Sequence, residues 1–248
     1  MAETLNTSHR ISADCILMDV EGTTSSISFV HDVMFPFARN HIAQFLKDSW
    51  GDPKLDACLE QLAADAGLES FPCDGSPEET QRSVVGAVYD LMDRDAKVTG
   101  LKCLQGMIWK AGFESGELVS HVYPEVAGCL RDWHAGGLDL RIYSSGSIQA
   151  QKLFFAHTTA GDLLPLISGH YDTTSGGKKE AGSYSTIAAH VGAMPQRIIF
   201  VSDVAAELDA ALEAGMQTVL SVRPGNAETD VTSHRAINGF DELNVSKS

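Results

Sequence analysis

Apolar residues fall along this chain in two rhythms. Short, unbroken, β-rich runs stand at Cys15 to Asp19 (CILMD), at 138–144 (LDLRIYS), at 197–203 (RIIFVSD) and at 217–222 (QTVLSV), each bounded by polar or glycine-containing segments. Runs of this length and composition predict buried strands. Between the last three the spacing turns helical, at 147–158 (SIQAQKLFFAHT), 183–192 (SYSTIAAHVG) and 205–215 (AAELDAALEAG), the last ending on Gly215 as helices often do. Strands that alternate with helices pair in parallel through right-handed crossovers, which predicts an α/β fold built on a doubly wound parallel sheet.

The stretch 25–123 has a different rhythm. Helix-like segments at 31–50, 53–67, 76–97 and 99–118 follow one another with no strand pattern among them. Ser76, followed by Pro77 and by Glu79 three positions on, has the form of a capping box with proline in the first turn. The predicted organisation is therefore an α/β core from 11–24 and 124–248, with an all-helical insertion at 25–123. After Asn226 the chain is mostly polar, and a short AINGF run (236–240) is a candidate edge strand. No internal repeat is visible.

Charge narrows the function. A formal net charge of -15 and a pI near 4.9 work against nucleic acid and anionic membranes as partners, and any anionic ligand must be held by local cations. No apolar stretch approaches the roughly 20 residues that span a bilayer, and residues 1–14 lack the apolar core of a signal peptide. The expectation is a soluble cytoplasmic protein. The five cysteines (15, 58, 73, 103 and 129) are scattered and form no CxxC pair, so they are read as reduced thiols in or near cores. The nine histidines show no HExxH or other close ligand spacing.

In an open parallel sheet, ligands sit outside the carboxyl ends of the strands, near a switch in strand order. Three predicted strands end in reactive side chains: Asp19 and Glu21 after the first, Ser144-Ser145-Gly146-Ser147 after the second, and Ser202-Asp203 at the third. Lys178 and Lys179 lie in a Gly-rich loop ahead of a helix. Each has a plainer reading. A strand-end Asp commonly shapes a turn, serines commonly cap helices, and adjacent lysines are usually solvated. The lysine loop is not a P-loop, since Asp172 stands at the first Gly position and Lys179 at the Ser/Thr position. Trp109 and Phe113, four apart, read as a packed helical face. Arg223-Pro224-Gly225-Asn226 has turn chemistry without a defined role.

Taken in order, DxEGT at 19–23, the serines at 144 and 145, the loop lysine at 178, and Asp203 with Glu207 four residues on resemble the four motifs of the haloacid dehalogenase superfamily of phosphotransferases. That superfamily usually carries Asp two places after its nucleophile, where this chain has Glu21. With DVEGTTSSISFVHDVMFP, YSSGS, GGKxE, SDVxxE and VRPGN, the chain resembles the enolase-phosphatase family of methionine salvage from about Ile16 to Asn226, while residues 68–98 carry no recognisable motif. The resemblance implies a haloacid dehalogenase-like core with a helical cap, a monomer, and the conversion of 5-methylthio-2,3-diketopentyl 1-phosphate, by enolisation and then dephosphorylation, to the acireductone.

Electrostatics points to a cation in such a site. A phosphate dianion meeting Asp19 and Asp203 would be opposed by about 4 kcal/mol per charge at roughly 4 Å and an effective dielectric of about 20. One Mg²⁺ per chain answers this, with Asp19 and Asp203 as side-chain ligands and, by resemblance, the backbone carbonyl of Glu21. Asp19 is then the nucleophile and Glu21 the general acid and base. Lys178 neutralises the phosphate, Ser144 and Ser145 donate to its oxygens, and Glu207 supports from behind. Which serine hydroxyl points inward, whether Lys179 takes the place of Lys178, and which residue removes the carbon-bound proton stay open at this level. The alternatives are another Mg²⁺-dependent phosphatase or phosphomutase of the same fold, a metal-free dehalogenase, or a catalytically silent interaction module.

Overall fold

The computed structural model describes residues 11–72, 76–227 and 233–248. The chain divides into two compact units, one formed by the chain up to Val30 together with Val119–Ser248, the other by His31–Leu118. These boundaries differ from 24/25 and 123/124, where the hydrophobic pattern changes. The reason is local hydrogen bonding within the first unit: the Tyr123 N–H donates to the Thr24 carbonyl (3.1 Å), and the Ser25 hydroxyl meets His121 Nδ1 (3.2 Å).

The first unit opens with β1 (Ile11–Ala13), β2 (Cys15–Met18) and the single turn α1 (Ile27–Phe29). The second unit carries α2 (Phe35–Ser49), α3 (Pro53–Asp65), α4 (Pro77–Asp93) and α5 (Thr99–Ser115), and no strand among its described residues. The first unit resumes with α6 (Val126–Ala135), β3 (Asp139–Tyr143), α7 (Ile148–Ala156), β4 (Gly169–Tyr171), α8 (Ala181–Val191), β5 (Ile198–Ser202), α9 (Ala205–Glu213), β6 (Gln217–Ser221), β7 (Arg235–Ile237) and β8 (Val245–Lys247).

Six strands form a parallel sheet in the order β4-β3-β2-β5-β6-β7, and β1 pairs separately with β8. The chain leaves β2 toward β3 and β4, then returns to β2's other side to lay down β5, β6 and β7. The strand order therefore reverses between β2 and β5, the place where such sheets bind ligands. All of Cys15–Met18 and Ile198–Ser202 are buried, as expected of strands covered on both faces. Tyr143 of β3 and Phe200 of β5 meet Tyr184 of α8, mutually tilted with centroids 5.1 to 6.4 Å apart, an arrangement that aromatic quadrupoles favour.

Three strands and one helix carry too weak a pattern to predict. β4 is Gly-His-Tyr, β1 and β8 are three residues each, and the period of α6 is interrupted by Gly128. The AINGF run does enter the sheet, as β7 at its edge beside β6. In the helical unit the capping box is formed: Ser76 Oγ accepts from the Glu79 N–H and Glu79 Oε2 from the Ser76 N–H. Phe113 is buried and Trp109 Nε1 donates to the Met34 carbonyl (2.8 Å), a packed face. α3 and α5 touch backbone to backbone, since a methyl group on Gly100 would meet the Leu62 main chain at 2.5 Å. Cys15 and Cys58 are buried free thiols and Cys129 is half-buried, but Cys103 is exposed; Cys73 lies outside the described residues. Among the described residues no helix is long and apolar enough to cross a membrane.

Gln151 on α7 joins two strand ends. Its Nε2 donates to the carbonyls of Gly146 and Tyr171 (both 2.8 Å), and its Oε1 meets His170 Nδ1 at 3.2 Å. Burial, with a smaller contribution from Lys152, pushes the His170 imidazole down from its ordinary 6.5 to about 4. The unfolded chain thus binds this proton first on acidification, and His170 favours unfolding as pH falls from about 6.5 through about 4. His170→Gln is expected to lessen the drop in Tm between pH 7 and pH 4 in thermal scans, and an unchanged drop would refute the assignment.

Candidate active site at the switch point

Asp19 sits where β2 ends. Its N–H still pairs with the Val201 carbonyl of β5 (2.9 Å), so its side chain is fixed at the middle of the sheet's carboxyl edge, 5% exposed. Oδ1 accepts from the Val20 N–H (2.8 Å) and Oδ2 lies 2.7 Å from Lys178 Nζ. The chain then turns sharply, with the N–H groups of Thr23, Thr24 and Ser25 all directed at the Val20 carbonyl. Gly22 adopts a left-handed φ of 66°, and a methyl group there would collide with the Asp203 carboxylate. Only glycine both takes that conformation readily and lets the loop lie against Asp203.

Lys178 comes from the irregular loop between β4 and α8, whose carbonyls have no ladder to join. Three hydroxyls satisfy them in sequence: Tyr143 donates to Gly176 (2.9 Å), Ser183 to Gly177 (2.8 Å) and Tyr184 to Lys178 (2.6 Å). So held, the Lys178 ammonium lies 2.7 Å from both Asp19 Oδ2 and Glu207 Oε2. Lys179 is exposed, so it is Lys178 that enters the cluster. Glu207, in the first turn of α9, is buried and also accepts from the Ser202 hydroxyl (3.0 Å). It therefore touches Lys178 directly. Burial alone would drive this ammonium toward neutrality, but the charges and hydrogen bonds of Asp19 and Glu207 outweigh it and raise its pKa overall. Glu207 is pushed up by burial and by Asp19, against the opposing pull of Lys178 and Ser202.

Asp203 follows β5 and faces Gly22. Burial, and then the charge of Asp19, push its carboxyl up from 3.8 to about 7. Glu21 is half-buried in the turn that follows Asp19. After β3, Ser144 is buried and Ser145 exposed. The Ser144 N–H is used by the Tyr171 carbonyl (3.2 Å), and its hydroxyl accepts from the Gly146 N–H (3.3 Å). The cap of α7 is neither of these serines but Ser147, which accepts from the Ala150 N–H at 3.2 Å. The structure thus gathers Asp19, Lys178, Asp203 and Glu207 at one edge, where three carboxylates face one ammonium. Among the described residues, no group of three or more His, Cys, Asp or Glu side chains forms a ready-made metal cage.

The supports of this edge escaped the motifs. Tyr143 and Tyr184 fall within the 138–144 and 183–192 runs with nothing to mark them, and Arg223-Pro224-Gly225-Asn226 has the chemistry of a turn. In the structure the Arg223 side chain is buried, pairs with Glu125 (2.6 Å) and donates to the carbonyls of Thr23 (3.1 Å) and Asn238 (2.8 Å). The signal was present in a charged residue standing directly after an apolar strand.

A family model of haloacid dehalogenase-like hydrolases matches residues 13–215. Enolase-phosphatase E1 of Synechococcus elongatus is 44% identical over 236 residues, covering 94% of this chain and 98% of that protein. Enolase-phosphatase E1 of Drosophila mojavensis is 46% identical over 222 residues, covering 88% of each. The chain belongs to the enolase-phosphatases of the haloacid dehalogenase-like hydrolases. Among solved structures, the UTR4 protein of Saccharomyces cerevisiae is similar with a TM-score of 0.79 and 31% identity, over 94% of this chain and all of that one. CbbY of Rhodobacter sphaeroides, solved with phosphate, shares the fold at a TM-score of 0.56 and 14% identity, over 94% of this chain and 97% of that one.

For this enolase-phosphatase family member the burial of Asp203 beside Asp19 has a measurable consequence without any ion. Because the folded state raises the Asp203 pKa, ionising that group opposes folding, and stability is lost as pH rises from about 3.8 through about 7. In EDTA, Asp203→Asn is expected to have a higher Tm than the parent chain at pH 8, and the gap should close near pH 4. A variant less stable than the parent at pH 8 would contradict this electrostatic account.

Proposed function

We propose that this chain is a magnesium-dependent enolase-phosphatase, which converts 5-methylthio-2,3-diketopentyl 1-phosphate to the acireductone and inorganic phosphate. The observation that carries the reading is the Asp19–Lys178–Glu207 cluster beside Asp203 at the switch point, in a chain whose relatives carry the enolase-phosphatase name.

The residues fit a divalent ion. The donors are all oxygens, the acids outnumber the cations, and Asp203 is pushed up by burial and then by the charge of Asp19. Asp19 and Asp203 would hold Mg²⁺ through their side chains and Glu21 through its carbonyl, with water completing the shell as this ion prefers. Once bound, the ion supplies the positive charge that lets a phosphate dianion approach these acids and polarises the oxygens of phosphate and ketone.

The protein's own groups carry the steps. Lys178 pairs with the phosphate and stays protonated, because Asp19 and Glu207 hold its proton. Ser144 and Ser145, at the start of the α7 approach, orient the phosphate oxygens. An Asp19 oxygen attacks phosphorus, the bond to the ester oxygen breaks, and the leaving oxygen takes a proton from Glu21. Glu21, now a carboxylate, deprotonates a water that attacks the aspartyl-phosphate, releasing phosphate and restoring Asp19. Enolisation precedes these steps and demands exclusion of water from the site. The enzyme is read as a cytoplasmic monomer.

Two measurements test this reading. Incubation of the purified protein with the diketo phosphate and Mg²⁺ should yield the enol absorbance of acireductone as well as phosphate; phosphate without the enol product would leave a phosphatase of another substrate. Asp19→Asn should lower kcat by at least about 10³-fold with the fold retained, since one oxygen loses its nucleophilic charge at almost constant shape. Near-normal turnover in that variant would displace Asp19 as the nucleophile.

A further inference from the structure

The end of β6 and the loop that follows it send three donors to the backbone just past Glu21. The Ser221 hydroxyl and Asn226 Nδ2 both donate to the Gly22 carbonyl, at 3.1 and 2.9 Å, and Arg223 Nη2 donates to the Thr23 carbonyl at 3.1 Å. The loop is itself rigid. Its Arg223 guanidinium lies 4.2 Å over the Tyr123 ring and is ion-paired to Glu125, Gly225 takes a left-handed φ of 88°, and the Asn226 N–H closes the turn onto the Arg223 carbonyl (3.1 Å).

The two ends of the Asn226 amide are in unequal circumstances. Nδ2 has two carbonyl acceptors, Gly22 and Ser221 (3.3 Å). Turning the amide over would set its oxygen against both, so this orientation is fixed by its neighbours. Oδ1 is then buried and has no hydrogen-bond partner among the described residues. It lies 3.0 Å from the place a methyl group on Gly22 would occupy, and the Asp203 carboxylate crowds the same place. A buried amide oxygen stripped of water is unfavourable unless a donor reaches it.

We infer that Asn226 is a positioning residue for the metal site: its Nδ2 fixes the Gly22 carbonyl, and its Oδ1 accepts a hydrogen bond from a water carried by the divalent ion held beside Asp203. This rests on the magnesium reading above. Waters on Mg²⁺ are strongly polarised donors that the ion gives up reluctantly, and an uncharged acceptor orients them without adding a further negative charge to an acid-rich edge.

Calorimetric titration of the full chain with MgCl₂, with no substrate, tests it. Asn226→Ala is expected to weaken Mg²⁺ binding by about 10-fold or more, as loss of an outer-shell partner typically does. Ser221→Ala removes a donor to the same Gly22 carbonyl but leaves Oδ1 in place, and is expected to weaken binding by less than about threefold. Unchanged affinity in Asn226→Ala, or equal losses in the two variants, would overturn the assignment. Should Asn226→Ala fail to fold, a crystal structure of the parent chain with Mg²⁺ decides: a water bridging the ion and Oδ1 upholds the inference, and its absence refutes it. A parent chain that binds no Mg²⁺ would remove the metal reading and this inference together, whereas tight parent binding with an unaffected Asn226→Ala removes this inference alone.

Discussion

One ammonium group decides how the sheet's carboxyl edge can exist. Lys178 lies within 2.7 Å of both Asp19 and Glu207, all three largely removed from solvent, so each acid's burial is tolerable only while the lysine stays charged. Its charge is secured in turn by the acids, which overcome the tendency of burial to neutralise it. The dependence is mutual. It requires residues from three distant parts of the chain, and adjacency of β2 and β5 brings two of them, Asp19 and Glu207, to the same edge before any loop is considered.

The loops that complete the edge are held by a common device. Irregular backbone has carbonyls with no ladder partner, and buried polar groups must be paired. Tyr143, Ser183 and Tyr184 supply hydroxyls to three successive carbonyls around Lys178, and Ser221, Arg223 and Asn226 supply donors to two successive carbonyls after Glu21. Both sets are anchored in regular elements or in a locked turn. A reactive group carried on such a loop is placed with the rigidity of the sheet, which matters because small misplacements of reacting atoms cost large factors in rate.

How much of this is legible in the sequence follows from where the energy lies. β2, β3, β5 and β6 are apolar runs because both faces of a central parallel strand are covered, so their composition alone betrays them. β4 sits at the sheet's edge and is Gly-His-Tyr, held by pairing to β3 and by Gln151 rather than by a hydrophobic run, and nothing local signals it. The motif residues Asp19, Lys178 and Asp203 stand out only together, by their order and spacing along the chain, since a strand-end Asp or a loop lysine taken alone has a plainer reading. Ser144 and Ser147 show the limit. Both are serines after a strand, and only the hydrogen-bond geometry separates the one that caps α7 from the one that is buried. Tyr143 and Tyr184 were invisible as supports, because their rings belong to the core and only their hydroxyls reach the loop.

The charge balance also bears on what the site can accept. The whole chain carries a formal charge of -15, so its field gathers cations and repels phosphate esters. Locally, Lys178 is already shared between two carboxylates, and Arg223 is committed to Glu125 and to two carbonyls, so neither offers a full unit of uncompensated charge to an incoming anion. An edge that carries Asp19, Asp203 and Glu207 against one ammonium is matched to a cation first and to a dianion only afterwards. The acids at this edge are thus under-compensated, and the protein's excess of negative charge concentrates cations around them.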